Sequence, residues 1–176
     1  MKMEIKLCGV GGQGLGLAGR LLGEAAILAD FHVAQTTAYG VESRGGMSTS
    51  DVIISKDPIY FPEVRSPDAL LIVAEKDLTA NLKGARDDTF ILYDPGTVSE
   101  TIGGPGVKYS FQFLDIALRE FGNREAATII GLGALVRLSK VVPFETLKEA
   151  VKLCLPAKVH QQNIGALQVG RDLIAE

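Results

Sequence analysis

A glycine-rich loop near the start of the chain is the first segment whose residue types suggest chemistry. Gly9, Gly11 and Gly14 fit the pattern G-x-G-x-x-G, directly after a short apolar run and before a long segment without proline. In this strand, turn and helix context, the free N–H groups at the helix start can face an anion, because glycines place no side chain between them. The loop is therefore a candidate phosphate site. Close packing of a helix on a sheet explains the same glycines equally well.

Two details of this region bear on the choice of ligand. A dinucleotide dehydrogenase carries an Asp or Glu about 20 residues further on, whereas this chain has Ala34-Gln35-Thr36-Thr37 there, which disfavours NAD. The amide of Gln13 is suited to a hydrogen bond with a ligand or a neighbouring chain, or it faces water. The first group of candidate binding residues is Gly9, Gly11, Gly12, Gln13 and Gly14.

A second group of candidates follows the second predicted strand, in residues 38–48. Here Tyr39 offers a ring face with a polar tip, and Arg44 offers a planar donor fork for a carboxylate or a phosphate. An ion pair between Glu42 and Arg44 on an exposed loop, worth at most about 1 kcal/mol, accounts for the same residues. The candidate residues of this group are Tyr39, Glu42, Arg44, Gly45 and Gly46.

The chain offers few residues for metal binding or for catalysis. Its two cysteines, Cys8 and Cys154, are far apart, and only His32 and His160 add imidazoles. We expect no metal site in this chain, because metal and iron–sulfur sites need several ligands at close spacing. We expect both thiols to be buried and unreactive. No residue is assigned as a catalytic acid, base or nucleophile.

Charge and hydropathy exclude two classes of partner. The sequence has 18 Lys and Arg against 21 Asp and Glu, a net charge of −3, so we expect no binding to nucleic acid or to an anionic membrane surface. The longest apolar stretch, residues 126–136, is interrupted by glycines and is too short to span a bilayer. The first residues do not form an apolar leader. We therefore expect a cytoplasmic protein with reduced thiols.

The order of apolar runs predicts one α/β domain over residues 1–176. Short runs rich in β-branched residues alternate with helical patterns, which is typical of an open, mostly parallel, Rossmann-like sheet flanked by helices. An antiparallel hairpin is predicted between residues 47–55 and 59–61. Strands are predicted at 4–10, 31–37, 47–55, 59–61, 68–74, 89–93 and 108–111, and helices at 15–29, 77–84, 114–121, 126–138, 144–155 and 163–174.

This fold positions the two candidate groups. Ligand sites in open α/β sheets gather at the carboxyl ends of the strands. Both residues 9–14 and residues 37–46 follow a predicted strand at that edge. We therefore expect the two groups to converge.

Four motifs in a fixed order add a resemblance to a known family. The residues are Gly9-Val10-Gly11-Gly12-Gln13-Gly14, Tyr39-Gly40-Val41-Glu42-Ser43-Arg44-Gly45-Gly46, Ser50-Asp51-Val52-Ile53-Ile54-Ser55 and Pro67-Asp68-Ala69-Leu70. With Asn123 and Asn163-Ile164-Gly165-Ala166 towards the end, the sequence resembles the gamma subunit of the 2-oxoacid:ferredoxin oxidoreductases over nearly its whole length.

The resemblance implies a subunit that is inactive alone. The implied complex oxidatively decarboxylates a 2-oxoacid on thiamine diphosphate, reduces ferredoxin through iron–sulfur clusters and transfers the acyl group to coenzyme A. Thiamine diphosphate, magnesium and the clusters are then expected on alpha, beta and ferredoxin-like delta subunits. The glycine loop and Arg44 are expected to contact coenzyme A or a partner subunit. The sequence leaves open which 2-oxoacid is used and whether the isolated chain forms a homodimer.

Two other functions remain open at this point. One is a stand-alone nucleotide-binding regulatory module, favoured by the glycine pattern. The other is a scaffold protein that binds no small molecule. Co-purification with larger subunits and titration with NAD, ATP and coenzyme A distinguish the three.

Overall fold

The computed structural model describes residues 1–40, 46–98 and 102–175. In these residues a six-stranded sheet is flanked by six α-helices. The strands are β1 Lys2–Val10, β2 His32–Tyr39, β3 Met47–Ser55, β4 Ala69–Ile72, β5 Phe90–Tyr93 and β6 Val107–Ser110. The helices are α1 Leu15–Ile27, α2 Leu78–Asn81, α3 Phe113–Phe121, α4 Ala126–Ser139, α5 Phe144–Cys154 and α6 His160–Asp172.

The strand order is β2-β3-β1-β4-β5-β6. Strands β1, β4, β5 and β6 run parallel, whereas β3 is antiparallel to both of its neighbours, β1 and β2. The predicted open, mostly parallel α/β sheet is confirmed. β4 is buried along its whole length, as expected for a short apolar strand in the middle of such a sheet.

The predicted hairpin between residues 47–55 and 59–61 is wrong. β3 forms its antiparallel pairs with β2 on one side and β1 on the other, so both of its hydrogen-bonding edges are used. Pro58 and Pro62 bracket the 59–61 segment, which lies outside the sheet with its two aromatic side chains largely exposed. Proline supplies no N–H for a ladder, so the two flanking prolines leave only the three residues between them to pair with a strand.

The two faces of the sheet are covered differently. Ile5, Leu7, Val52 and Ile54 belong to a core that the long helices complete, and we call this side the helix face. Cys8, Leu70, Ile72 and Ile91 form a smaller core with Val98 and Ile102. We call that side the loop face, because α2 is its only described helix.

The glycines of α1 pack inside the molecule. A Cβ on Gly19 would overlap the hydroxyl of Ser50 in β3, and one on Gly23 would lie 3.2 Å from the side chain of Val33 in β2. These glycines let the helix lie close on the two antiparallel strands. This packing offsets their unfavourable helix propensity of about 1 kcal/mol each.

Candidate functional site

The glycine loop joins β1 to α1 at the carboxyl edge of the parallel strands. Gly12 and Gly14 have φ values of +90° and +75°, a left-handed conformation that other residues adopt at a cost of about 1–2 kcal/mol. Gly9 is required for another reason, because a Cβ there would overlap the Gln13 amide. Gly11 meets neither constraint, since its nearest neighbour would lie 4.0 Å from an added Cβ.

Gln13 ties the loop to the rest of the fold. Its Oε1 accepts a hydrogen bond from the Val10 N–H at 2.8 Å, and its Nε2 donates to the Val73 carbonyl at 3.4 Å. The Thr128 hydroxyl of α4 donates to the Gln13 carbonyl at 2.7 Å. The amide that the sequence suggests for a ligand is thus bonded within the protein, and a ligand contact by Gln13 stays a prediction.

A cleft of about 600 Å³ opens beside this loop. Gly11 and Gly12 form one wall, the segment that leads into α4 forms another, and Val73 and Thr97 lie between them. Within the described chain, the N–H groups of Gly12 and Gly14 have no hydrogen-bond acceptor. Unpaired N–H groups at a helix start attract anions.

Arg124 is the one Lys or Arg that lines this cleft among the residues with described positions. It is exposed and makes no ion pair within that part of the chain. Asn123, just before it, accepts the Glu125 N–H through Oδ1 at 2.9 Å in the turn that leads into α4. Glu125 also lines the cleft. Its negative charge offsets that of Arg124 at a distance, so the positive potential of Arg124 is confined to its immediate surroundings.

Arg124 is not among the residues that the sequence pattern predicts for the site. The available signal was Asn123, a residue that favours helix starts. That this helix start faces the glycine loop, more than 100 residues earlier in the chain, follows only from the fold.

The described part of the second candidate group meets the glycine loop, as expected. The Gly11 N–H donates to the Gly46 carbonyl at 3.0 Å. Tyr39 ends β2 with 70% of its surface exposed, and its hydroxyl lies 3.6 Å from where a Cβ on Gly16 of α1 would stand. The remaining candidates, Glu42, Arg44 and Gly45, lie outside the described residues.

Comparison with known proteins assigns the family. The family model described as pyruvate ferredoxin/flavodoxin oxidoreductase matches residues 4–173. The chain belongs to this family. It is similar to the 2-oxoglutarate synthase subunit KorC of Methanocaldococcus jannaschii, with 38% identity over all of this chain and 96% of the relative. The resemblance seen in the sequence motifs is thereby confirmed.

Solved structures of the family share the fold. The gamma subunit of a keto/oxoacid ferredoxin oxidoreductase from Geobacter sulfurreducens matches with a TM-score of 0.87 and 32% identity, over 98% of this chain and 95% of that one. A 2-oxoglutarate:ferredoxin oxidoreductase from Magnetococcus marinus, solved with 2-oxoglutarate, coenzyme A and succinyl-CoA, matches 98% of this chain with a TM-score of 0.86. Its identity is 23% and the match covers 31% of its chain, so it supports the fold. This chain is a gamma-type subunit of the 2-oxoacid:ferredoxin oxidoreductases.

The thiols of this gamma-type subunit differ from each other. Cys8 lies in β1 and is fully buried, and burial raises the pKa of its thiol above the ordinary value, as expected for an unreactive residue. Cys154, at the end of α5, is partly exposed, so its expected burial is wrong. The reason is its place in the last helical turn, where Leu153 is also exposed.

In residues 1–40, 46–98 and 102–175, no group of three or more His, Cys, Asp or Glu side chains could hold a metal ion. No described helix is both long enough and apolar enough to cross a bilayer.

Proposed function

We propose that this gamma-type subunit binds a phosphate group of coenzyme A in the cleft between the glycine loop and α4. The observation that carries the proposal is the convergence of two kinds of donor on one cleft. Gly12, whose N–H has no acceptor among the described residues, and Arg124 both line this cleft, just before the starts of α1 and α4. Coenzyme A carries a diphosphate and a 3′-phosphate, which both kinds of donor recognise.

Further groups of the site have supporting roles in this proposal. The Gln13 amide donates to the Val73 carbonyl, and the Thr128 hydroxyl donates to the Gln13 carbonyl. These two hydrogen bonds hold the loop in its anion-binding shape. Tyr39 and Gly46 form the rim next to the loop. Glu42, Arg44 and Gly45, which lie between these two in sequence, are proposed to extend that rim towards the catalytic centre.

The rest of the reaction belongs to partner subunits in this proposal. The alpha and beta subunits hold thiamine diphosphate with its magnesium, where the 2-oxoacid is decarboxylated, and a ferredoxin-like delta subunit holds iron–sulfur clusters that pass electrons to ferredoxin. The two cysteines of this chain are fewer than a cluster needs. The gamma-type subunit then presents coenzyme A to the acyl group, and the complex is placed in the cytoplasm.

A stand-alone module that binds NAD is disfavoured by a second observation. In NAD sites a carboxylate at the end of the second strand takes the ribose hydroxyls. Here Gln35 of β2 is used inside the fold, where its Nε2 donates to the Gly16 carbonyl at 2.9 Å and to the Ser50 hydroxyl at 3.0 Å. No carboxylate lies in β2.

The test uses the reconstituted oxidoreductase carrying Arg124→Ala. A charge-assisted hydrogen bond to phosphate contributes about 1.5–3 kcal/mol, so the KM for coenzyme A is expected to rise about tenfold or more, while the KM for the 2-oxoacid stays unchanged. Arg65→Ala is the control, because it removes the same charge at the opposite edge of the sheet, where Arg65 pairs with Glu63.

Two outcomes contradict the proposal. A KM for coenzyme A within twofold of wild type in Arg124→Ala removes Arg124 from the site. Calorimetric titration of the purified chain that shows binding of NAD but not of coenzyme A favours the nucleotide-binding module instead. Arg44→Ala, measured in the same assay, is expected to raise the KM for coenzyme A in the same direction.

A further inference from the structure

The two edges of the sheet differ in how they are protected. An exposed edge strand offers unpaired N–H and C=O groups to another strand, and soluble proteins block such edges with short strands, lysines, prolines or bulges. β6, at one edge, has only four residues. Lys108 within it donates to the Pro105 carbonyl at 3.2 Å and also to the Gly104 carbonyl. β6 is therefore a blocked edge.

β2, at the opposite edge, has none of these devices. It runs for eight residues, His32–Tyr39, without a Lys, Arg, Asp, Glu or Pro, and its register with β3 is continuous and free of bulges. Among the residues whose positions the structure describes, nothing pairs with its outer side. A long, regular and uncharged edge is suited to pairing with another strand.

The helix that lies on this edge is also incompletely covered. Gly16 and Gly23 mark the side of α1 that lies on β2, because the nearest atoms to a Cβ on either one belong to that strand. Arg20 and Ile27 follow these glycines by one helical turn and so share that side of α1. Both are exposed, Ile27 by 54%. The open side of the molecule is thus two layers deep, with a strand edge below and a helix above.

The sequence of β2 suits antiparallel pairing with a second copy of itself. A twofold axis at Thr36 places this residue opposite its own copy, and the same register sets Val33 opposite Tyr39. Thr–Thr pairs and pairs of a β-branched with an aromatic residue stabilise antiparallel strands. No like charges meet, because no carboxylate, ammonium or guanidinium lies in the strand. Tyr39, which is 70% exposed, is covered in this register.

The same pairing brings the two copies of α1 into contact. α1 lies over β3 and β2, since Gly19 faces Ser50 of the first strand and Gln35 of the second. Neighbouring strands are about 4.8 Å apart, so the two helices are separated by two strand spacings, or about 10 Å. Packed helices lie about 8–10 Å apart. A lone strand of another protein brings no such helix, so the geometry favours a second copy of this chain.

The resulting interface has the size of a specific, reversible one. β2 is about 26 Å long at about 3.3 Å per residue, and the strand and helix layers together are about 20 Å deep. Such an interface buries about 1,000 Å² in total, which is the lower limit for specific association. Ile27 lies towards the Val33 end of β2, so it approaches Tyr39 of the second copy. Two exposed apolar groups of each chain are covered in this way.

We infer that this chain forms a twofold dimer in which β2 pairs antiparallel with β2 of a second copy, so that the two sheets become one. The cleft proposed for coenzyme A stays open in this dimer, because the residues that line it belong neither to β2 nor to α1. The inference goes beyond the proposed function, and neither depends on the other.

Sedimentation equilibrium of the purified chain tests the dimer. At tens of micromolar, the wild-type chain is expected at twice its mass of 18.7 kDa. Thr36→Lys sets two ammonium groups opposite each other at the axis, and like charges directly opposite are unfavourable. The dissociation constant of the dimer is expected to rise about fivefold or more. Ser110→Lys, an exposed serine in the other edge strand, is the matched control and should leave the constant within about twofold of wild type.

Two further variants make the test specific. Thr36→Glu alone is expected to weaken the dimer as Thr36→Lys does, whereas an equimolar mixture of the two variants places opposite charges at the axis and is expected to restore dimerisation. Ile27→Lys weakens the dimer through α1 without altering β2. Because Ile27 is exposed, the thermal midpoint of the monomer, measured by circular dichroism, is expected to stay at the wild-type value. This variant keeps the inference testable even if the variants in β2 do not fold.

The outcomes are distinct. A wild-type chain that stays monomeric at these concentrations overturns the inference, and so does wild-type dimerisation in both Thr36→Lys and Ile27→Lys. A dimer that Ser110→Lys weakens as strongly as Thr36→Lys uses another surface and also overturns it. Mixing the two charge variants without recovery contradicts the twofold register. A chain that associates only with other subunits, and never with itself, assigns the β2 edge to a different partner and overturns the dimer.

Discussion

Glycines serve opposite purposes in two regions of this molecule. In the loop beside the cleft, a Cβ on Gly11, Gly12 or Gly14 would meet nothing closer than 4.0 Å, so these residues leave space open. Between α4 and α6, a Cβ on Gly133 would overlap the Leu167 carbonyl, and one on Gly170 would overlap the Ile130 carbonyl. There the missing side chains let two helix backbones touch.

The comparison shows how an open site is kept in shape. The α4 and α6 contact is a packed core, in which an added atom has no room. It fixes α4, whose first turn carries Thr128, and Thr128 holds the Gln13 carbonyl of the loop. The loop can stay free of side chains because the helices behind it are rigid.

The largest expected effect is in the helix contact. Gly170→Ala forces the α4 and α6 backbones apart and should lower the free energy of unfolding by about 3 kcal/mol, measured by urea denaturation. Gly165→Ala is the matched control on α6, because its Cβ would lie 3.5 Å from the Phe121 ring, an ordinary contact. It should be neutral or stabilising by up to about 1 kcal/mol. Equal effects in the two variants would contradict the backbone-contact explanation.

A smaller loss is expected where the loop requires a left-handed backbone. Gly14→Ala keeps all contacts but places an alanine at φ +75°, so it should lower the free energy of unfolding by about 1–2 kcal/mol. Urea denaturation of the isolated chain measures this. A loss below about 0.5 kcal/mol would mean that the loop adopts another conformation in solution.

The smallest effect on stability is expected at Gly11, where a Cβ finds open space and no positive φ is required. Gly11→Ala should change the free energy of unfolding by less than about 0.5 kcal/mol. If the cleft binds coenzyme A, the added methyl group should still raise the KM for coenzyme A in the assembled enzyme. Unchanged stability together with an unchanged KM would show that the phosphate does not approach this side of the loop.

The local patterns predicted most elements because each depends on neighbouring residues. β3 spans Met47–Ser55 and α1 begins at Leu15, as the sequence analysis expected. The strand predicted at 59–61 is absent, because the apolar composition of this run resembles that of a strand but does not place it in the sheet. Whether such a run joins the sheet depends on whether β3 has a free edge, and β2 and β1 already occupy both edges.

The candidate site was predicted in part for the same reason. Glycine spacing and the order of motifs identified the loop, its convergence with Gly46 and the family. Arg124 and Thr128 were not predicted, because a single Arg or Thr near a helix start forms no recognisable sequence pattern. Their importance comes from a partner more than 100 residues away.

The sequence by itself therefore determined the alternation of strands and helices, the glycine loop and the kind of subunit, since these follow from local spacing and from motif order. Only the tertiary structure decided which strand pairs with β3, which cation lines the cleft and which strand edge is left open. Those three properties depend on distances between segments that are remote in the chain. Such distances are set when the helices and strands pack together, because burial is shared among elements and not encoded in any one of them.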